Sequence, residues 1–169
     1  VLTIVEQIRE AHLRDVPALG ALLVEVHDLH VAALPHIFAP IEADAQTDTF
    51  LRDQLALPDS QGFVWEEAGT LAGYCWIQRY EAPSLHRNVP RNYAEIHTLV
   101  VAASHRQRGI GRALVERAHE WAAAQGVDEV RIVVYEFNQE ALRFYERLGY
   151  ETGRRTLWYP LKRDVASDA

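Results

Sequence analysis

Apolar and polar positions alternate over residues 3–9, which predicts a first strand, and the apolar run that follows changes period. Asp15 followed by Pro17 has the form of a cap and first turn, so a helix is expected from there through about Leu29, ending before Leu34-Pro35. A second helix is expected over residues 48–57, stopped by Pro58. Two strand-like runs, 62–67 and 70–80, meet at Ala68-Gly69 and predict a hairpin. Pro83 and Pro90 bracket a loop. Beyond it, residues 92–101 read as a strand, 109–125 as a helix ended by Gly126, and 129–135 as a further strand. Asn138 opens a short helix that closes near Leu148-Gly149, and a last strand is expected over 150–161, before a polar tail at 162–169.

Two features of the strands carry more than element type. Ile96 and Leu99 lie three apart, so they cannot share one face of a regular strand with Val101; a bulge between them would return both to the core. In the 70–80 strand, Leu71, Gly73, Cys75 and Ile77 fall on one face and Tyr74, Trp76 and Tyr80 on the other. Cys75 is therefore expected to be a small core residue rather than a catalytic nucleophile. The aromatic row is expected to pack across the sheet or to shape a ligand pocket.

At 169 residues and 49% hydrophobic, the chain is the size of one domain, spanning 1–169, with a real core. A net charge of -7 argues against sequence-independent nucleic-acid binding, which needs a basic face. A single cysteine leaves no disulfide framework. The apolar stretches at 19–26 and 99–103 fall well short of the roughly 20 residues that span a bilayer. A soluble, cytoplasmic protein with no membrane partner is the expectation.

Arg106-Gln107-Arg108-Gly109-Ile110-Gly111-Arg112 lies between a strand and the long helix, where turn N–H groups and a helix N-terminus attract anions. Gly109 and Gly111 allow unusual dihedrals and a close backbone approach, and the arginines add positive charge, as a pyrophosphate would require. A dinucleotide fingerprint would want glycine where Leu114 stands, and a P-loop would want a Gly-Lys-Ser/Thr run that the chain lacks.

Ile96-His97-Thr98-Leu99-Val100-Val101, then Arg106-x-x-Gly109-x-Gly111, resembles the strand and pyrophosphate loop of the GNAT family of N-acetyltransferases. Downstream, Asn138-x-x-Ala141-x-x-Phe144-Tyr145-x-x-x-Gly149-Tyr150 is similar to the family's second signature. The resemblance covers about residues 93–150. It implies an α/β (α+β) fold: a mixed, mostly antiparallel twisted sheet with a splayed strand pair and helices on both faces.

It further implies acetyl-CoA as cosubstrate and a primary amine as acceptor, attacked directly in a ternary complex. Leu99 and Val101 would pair through their backbone with the pantetheine arm, Val100 between them would also belong to the cofactor site, and Asn138 would bond the pantetheine. Arg106, Gln107, Arg108, Gly109, Ile110, Gly111 and Arg112 would hold the pyrophosphate. The bulge would splay the strand from its neighbour and admit the pantetheine as an added strand. Backbone N–H at Leu99 or Val100 would meet the developing oxyanion. Tyr145 resembles the acid that protonates the coenzyme sulfur, although a core position on its helix explains it too. Asn138 serves equally as a helix cap.

His97 stands where many relatives carry a glutamate that deprotonates the amine. An imidazole can do the same, with Glu95, two positions earlier, as substitute. Pocket walls are expected from the first two helices and the 80–92 loop, with His27, His30, His36, Glu81 and His86 close in sequence. Packed or solvated histidines explain these better than a metal site, so no metal is assigned. A small amine is the expected acceptor, favoured by the acidic surface. The alternatives are a protein N-terminal or lysine acetyltransferase, or a non-catalytic acyl-CoA-binding module. A homodimer through residues 156–161 is also expected.

Overall fold

A computed structural model of the chain describes residues 7–82 and 89–159. The chain divides into two compact units, Val1–Phe137 and Asn138–Ala169.

The first unit holds a five-stranded sheet in sequence order, β1 (Ile8–Glu10), β2 (Ser60–Glu67), β3 (Thr70–Ala82), β4 (Arg91–Val101) and β5 (Glu129–Ile132). Every neighbouring pair is antiparallel except β4 with β5, which is parallel. The sheet is thus mixed and mostly antiparallel, as the resemblance implied. The hairpin at Ala68-Gly69 is a two-residue turn with φ of 51° and 80°, the left-handed pair that matches strand twist. The part of the first strand over residues 3–6 lies outside the described residues, as do Pro83, His86 and the rest of 83–88.

The helices α1 (Val16–Ala33) and α2 (Ala45–Ala56) cover one face of the sheet and α3 (Ile110–Ala124) the other. On the first face Val16, Leu19 and Leu22 of α1 pack with Leu51, Val64, Tyr74, Trp76 and Val100. The Tyr74 hydroxyl, buried in this layer, donates to Gln54 Oε1 at 3.2 Å. On the opposite face Ile110, Leu114, Val115, Ala118 and Ala122 of α3 are buried at helical spacing. Gly73 lets α3 approach: a Cβ there would stand 2.9 Å from Leu114 Cδ1 and 3.2 Å from Ile110 Cγ2.

Several expectations shift by a few residues for visible reasons. The helix α2 begins three residues before the expected start, because Asp44 accepts from the N–H groups of Gln46 and Thr47 at 3.0 Å each. Asp15 sits at the α1 N-cap position but makes no cap bond. Its carboxylate instead forms a two-bond fork with Arg9, at 2.8 and 2.9 Å, and accepts from His12 N. The Arg9 guanidinium holds that carboxyl below its usual range. A second β-bulge, at Ala72, sets Trp65 opposite Gly73 but Glu66 opposite Leu71. Leu71 therefore joins the α1 layer rather than the face of Cys75, correcting the simple alternation. Residues 13–33 form a continuous helical stretch long and apolar enough by those measures to cross a membrane, longer than the apolar runs suggested. Val16, Leu19 and Leu22 within it belong to the sheet's core.

The second unit contains α4 (Gln139–Arg147). Asn138 Oδ1 accepts from Ala141 N at 3.1 Å, so its capping role is realised. The helix ends in a Schellman motif at Gly149, φ 91°: Tyr150 N donates to Tyr145 O and Gly149 N to Glu146 O, each at 3.0 Å. The expected last strand does not form among the described residues. Residues 151–159 are irregular and exposed, and Leu157, Trp158 and Tyr159 are contiguous, where a half-buried strand would alternate.

Candidate acetyl-transfer site

The bulge that Ile96 and Leu99 required is present. Trp76 pairs with Thr98 and Ile77 with Ile96, so His97 is the extra residue of β4. Its effect on the far side of the strand is direct. Parallel pairing with β5 runs from Tyr93–Glu129 to Ile96–Ile132 and stops there, three residues short of the expected strand end at Tyr135. Leu99, Val100 and Val101 pair with Cys75, Tyr74 and Gly73 of β3, and among the described residues no strand pairs with them on the β5 side. That edge offers backbone groups to an extended ligand.

Beyond β4 the chain turns through Arg106–Arg112 into α3. Gln107 and Gly109 both have positive φ, 61° and 83°. Gly109 is the N-cap of α3 and has no side chain to cap it, and the first turn carries no acidic residue. The N–H groups of that turn are left without a side-chain acceptor, which suits an anion such as a pyrophosphate. The arginines are less available than their number suggests. Arg106 donates to Val101 O and to Glu25 Oε1, both at 2.9 Å. Arg108 reaches Glu67 at 3.2 Å and lies over the Trp65 ring at 5.4 Å, and Arg112 meets Glu116 at 3.3 Å. The paired Arg108 holds the Glu67 carboxyl below its ordinary value. Glu25 and Glu67 escaped the sequence reading because both come from distant segments.

At the bulge, ladder pairs on one face are Trp76 with Thr98, Gln78 with Glu95 and Tyr80 with Tyr93. His97 stands among them. Its Nδ1 is 3.6 Å from Glu95 Oε1, its Nε2 is 2.9 Å from the Tyr80 hydroxyl, and its ring lies 4.9 Å from that of Trp76. Burial lowers the imidazole pKa below its usual value, against the opposing pull of Glu95. The Trp76 Nε1 is buried and has no acceptor among the described residues. The structure thus brings His97 and Glu95 together and adds Tyr80 and Gln78, which sequence reasoning did not join to them. Burial pushes the Cys75 thiol up to about 12, which suits the core role and not a nucleophile.

The histidines of α1 are occupied elsewhere. His27 Nε2 meets Ala39 O at 2.8 Å and His30 Nδ1 meets Val26 O at 3.0 Å, and both rings pack edge-on against Phe38. Glu81 pairs with Arg79 at 3.3 Å. His36 is exposed. In the second unit, Tyr145 is buried, with its ring edge-on to Phe144 and Tyr150 at 5.0 and 5.3 Å.

Residues 23–150 match the acetyltransferase (GNAT) family. An uncharacterized N-acetyltransferase of Methanocaldococcus jannaschii is 37% identical over 99 residues, 55% of this chain and 40% of that protein. A mycothiol acetyltransferase of Thermobispora bispora is 34% identical over 52% of this chain and 29% of its own length. The matched segment is thus less than half the length of these relatives. Among solved structures, a tetramutant of the BH1408 protein from Bacillus halodurans superposes with a TM-score of 0.85 and 30% identity, over 91% of this chain and 99% of that one. An aminoglycoside N-acetyltransferase in complex with CoA shares the fold at a TM-score of 0.71 and 17% identity, over 92% and 94% of the two chains. The chain belongs to the GNAT family of acetyltransferases.

Proposed function

We propose that this chain moves the acetyl group of acetyl-CoA to the primary amine of a small molecule, by direct attack with both substrates bound. The observation that carries the reading is the bulge at His97. Among the described residues it leaves Leu99–Val101 without a strand partner on the β5 side, in the strand that leads into α3, whose N-terminus has no side-chain cap. Leu99, Val100 and Val101 hold the pantetheine arm through their backbone, and the 106–112 turn holds the pyrophosphate. The structural neighbour in complex with CoA and the relatives named mycothiol acetyltransferase support this choice.

Acetyl-CoA supplies a thioester carbonyl. His97 takes a proton from the arriving ammonium, so that the nitrogen lone pair can attack. As the N–C bond forms and the C–S bond breaks, the nitrogen loses a second proton and the sulfur gains one. The family resemblance would assign Asn138 to the pantetheine and Tyr145 to the sulfur's proton.

Thiol release from acetyl-CoA in the presence of a panel of small amines, polyamines and aminoglycosides among them, tests the reading. Tyr145→Phe should slow that release on the order of tenfold while CoA affinity stays nearly intact, a modest factor because a thiol of pKa near 8.5 needs little help to leave. Wild-type rates in the variant would remove Tyr145 from the chemistry, and no thiol release with any amine would contradict the acceptor class.

A further inference from the structure

We propose that Tyr80 is a positioning residue that fixes the proton of the neutral His97 ring on Nε2, leaving Nδ1 as the basic atom facing Glu95, so that the pair receives the acceptor amine as its ammonium. The proposal rests on the acetyltransferase reading and adds the atom that takes the proton.

The Tyr80 hydroxyl has one proton to give and two neighbours, Gln78 Oε1 at 2.8 Å and His97 Nε2 at 2.9 Å. The Gln78 oxygen can only accept, so the hydroxyl proton goes there. The hydroxyl oxygen must then accept from His97, which places the ring proton on Nε2. In the neutral ring Nδ1 is left as a lone pair, 3.6 Å from Glu95 Oε1. Two acceptors facing each other at that distance make no hydrogen bond between them. A group with at least two N–H donors and a positive charge satisfies both, and a protonated primary amine is such a group. In the transfer, one N–H bond of the ammonium breaks, its electron pair stays on nitrogen as the nucleophile, and the proton goes to Nδ1. The imidazolium that results keeps its Nε2–H on Tyr80 and its charge against Glu95.

The surrounding rings hold this geometry. Trp76 lies beside His97, and Tyr93 stacks on Tyr80 with centroids 5.3 Å apart. Among the described residues, the ionisable groups around the ring are Glu95 of β4 and Tyr80 of β3, with Tyr93 behind Tyr80. The Arg131 guanidinium of β5 lies over Tyr93 at 3.8 Å and bonds Glu129.

Nitrogen-15 spectra of the imidazole, taken above its titration, read the tautomer without reference to catalysis. The wild type should show His97 protonated at Nε2, and Tyr80→Phe should show both tautomers in exchange. Loss of one such hydrogen bond should lower kcat by about three- to tenfold. The acid limb of the pH–rate profile should move to lower pH in Tyr80→Phe, because the imidazolium loses its acceptor. In a His97→Ala background the same substitution should cost nothing further. A ring protonated at Nδ1 in the wild type overturns the proposal, as does an unchanged tautomer and acid limb in Tyr80→Phe. A ring protonated at Nε2 in a protein that acetylates nothing would instead sink the acetyltransferase reading and leave the geometry intact.

Discussion

Replacing His97 with alanine should lower turnover on the order of 100-fold near neutral pH, the lower range for loss of a positioned general base. The same substitution should remove the acid limb of the pH–rate profile. The sign follows from burial. The imidazole, with its side chain 32% exposed, is partly desolvated and so disfavoured as a cation; its pKa lies below the usual value of about 6.5 and the ring stays neutral, and basic, to lower pH than a free histidine would. Activity in the wild type should therefore persist into mildly acidic solution and fall as the ring protonates. A kcat/KM profile of both proteins between pH 5 and pH 9, a range of about that width being set by the groups involved, checks this. An identical acid limb in His97→Ala would assign the base elsewhere, with Glu95 the first alternative.

Gly73→Val is expected to destabilise the protein by about 2 kcal/mol, within the range for overpacking a filled core. A side chain there would meet Leu114, Ile110 and the Trp65 Cβ, at 2.9, 3.2 and 3.3 Å for its first atom. For a chain of this length that corresponds to a melting temperature lower by about 4–8 °C. Ile110 is the first residue of α3, so displacement reaches the N–H groups proposed to hold the pyrophosphate. CoA affinity should fall along with stability. A Gly73→Val protein with wild-type melting and wild-type CoA affinity would show that α3 tolerates the displacement, and that its first turn does not depend on this contact.

Local rules made much of the sheet legible. The Ala68-Gly69 turn, the Asn138 cap and the glycine stops at Gly126 and Gly149 are all determined by residues within one or two turns of each other. The bulge at His97 was readable for the same reason: an apolar spacing of three cannot fit a strand of period two. The bulge at Ala72 was not, because Leu71 to Ile77 alternates well enough to conceal it. The strand expected over 150–161 does not form in its described part, 150–159, because a strand is defined by its partner, and contiguous Leu157, Trp158 and Tyr159 carry no information about one.

The site divides along the same line. His97 with Glu95, and the turn at Gly109, were visible as neighbours in sequence. Tyr80 and Gln78 were not connected to His97, since the join depends on β3–β4 register across a loop and shifts by one residue at the bulge. Glu25 and Glu67, which take up Arg106 and Arg108, come from α1 and β2 and left no local mark. The loop's arginines are visible in the sequence, but the pairing of Arg106 and Arg108 with Glu25 and Glu67 is not.

The central claim is that this chain binds acetyl-CoA at the β4 edge and the α3 N-terminus, and the melting temperature with and without the cosubstrate tests it most directly. At 100 times its dissociation constant the ligand should add about 2.7 kcal/mol of stability. The midpoint should then rise by about 5–10 °C. No shift at any acetyl-CoA concentration would contradict the account and leave family membership without the activity proposed from it.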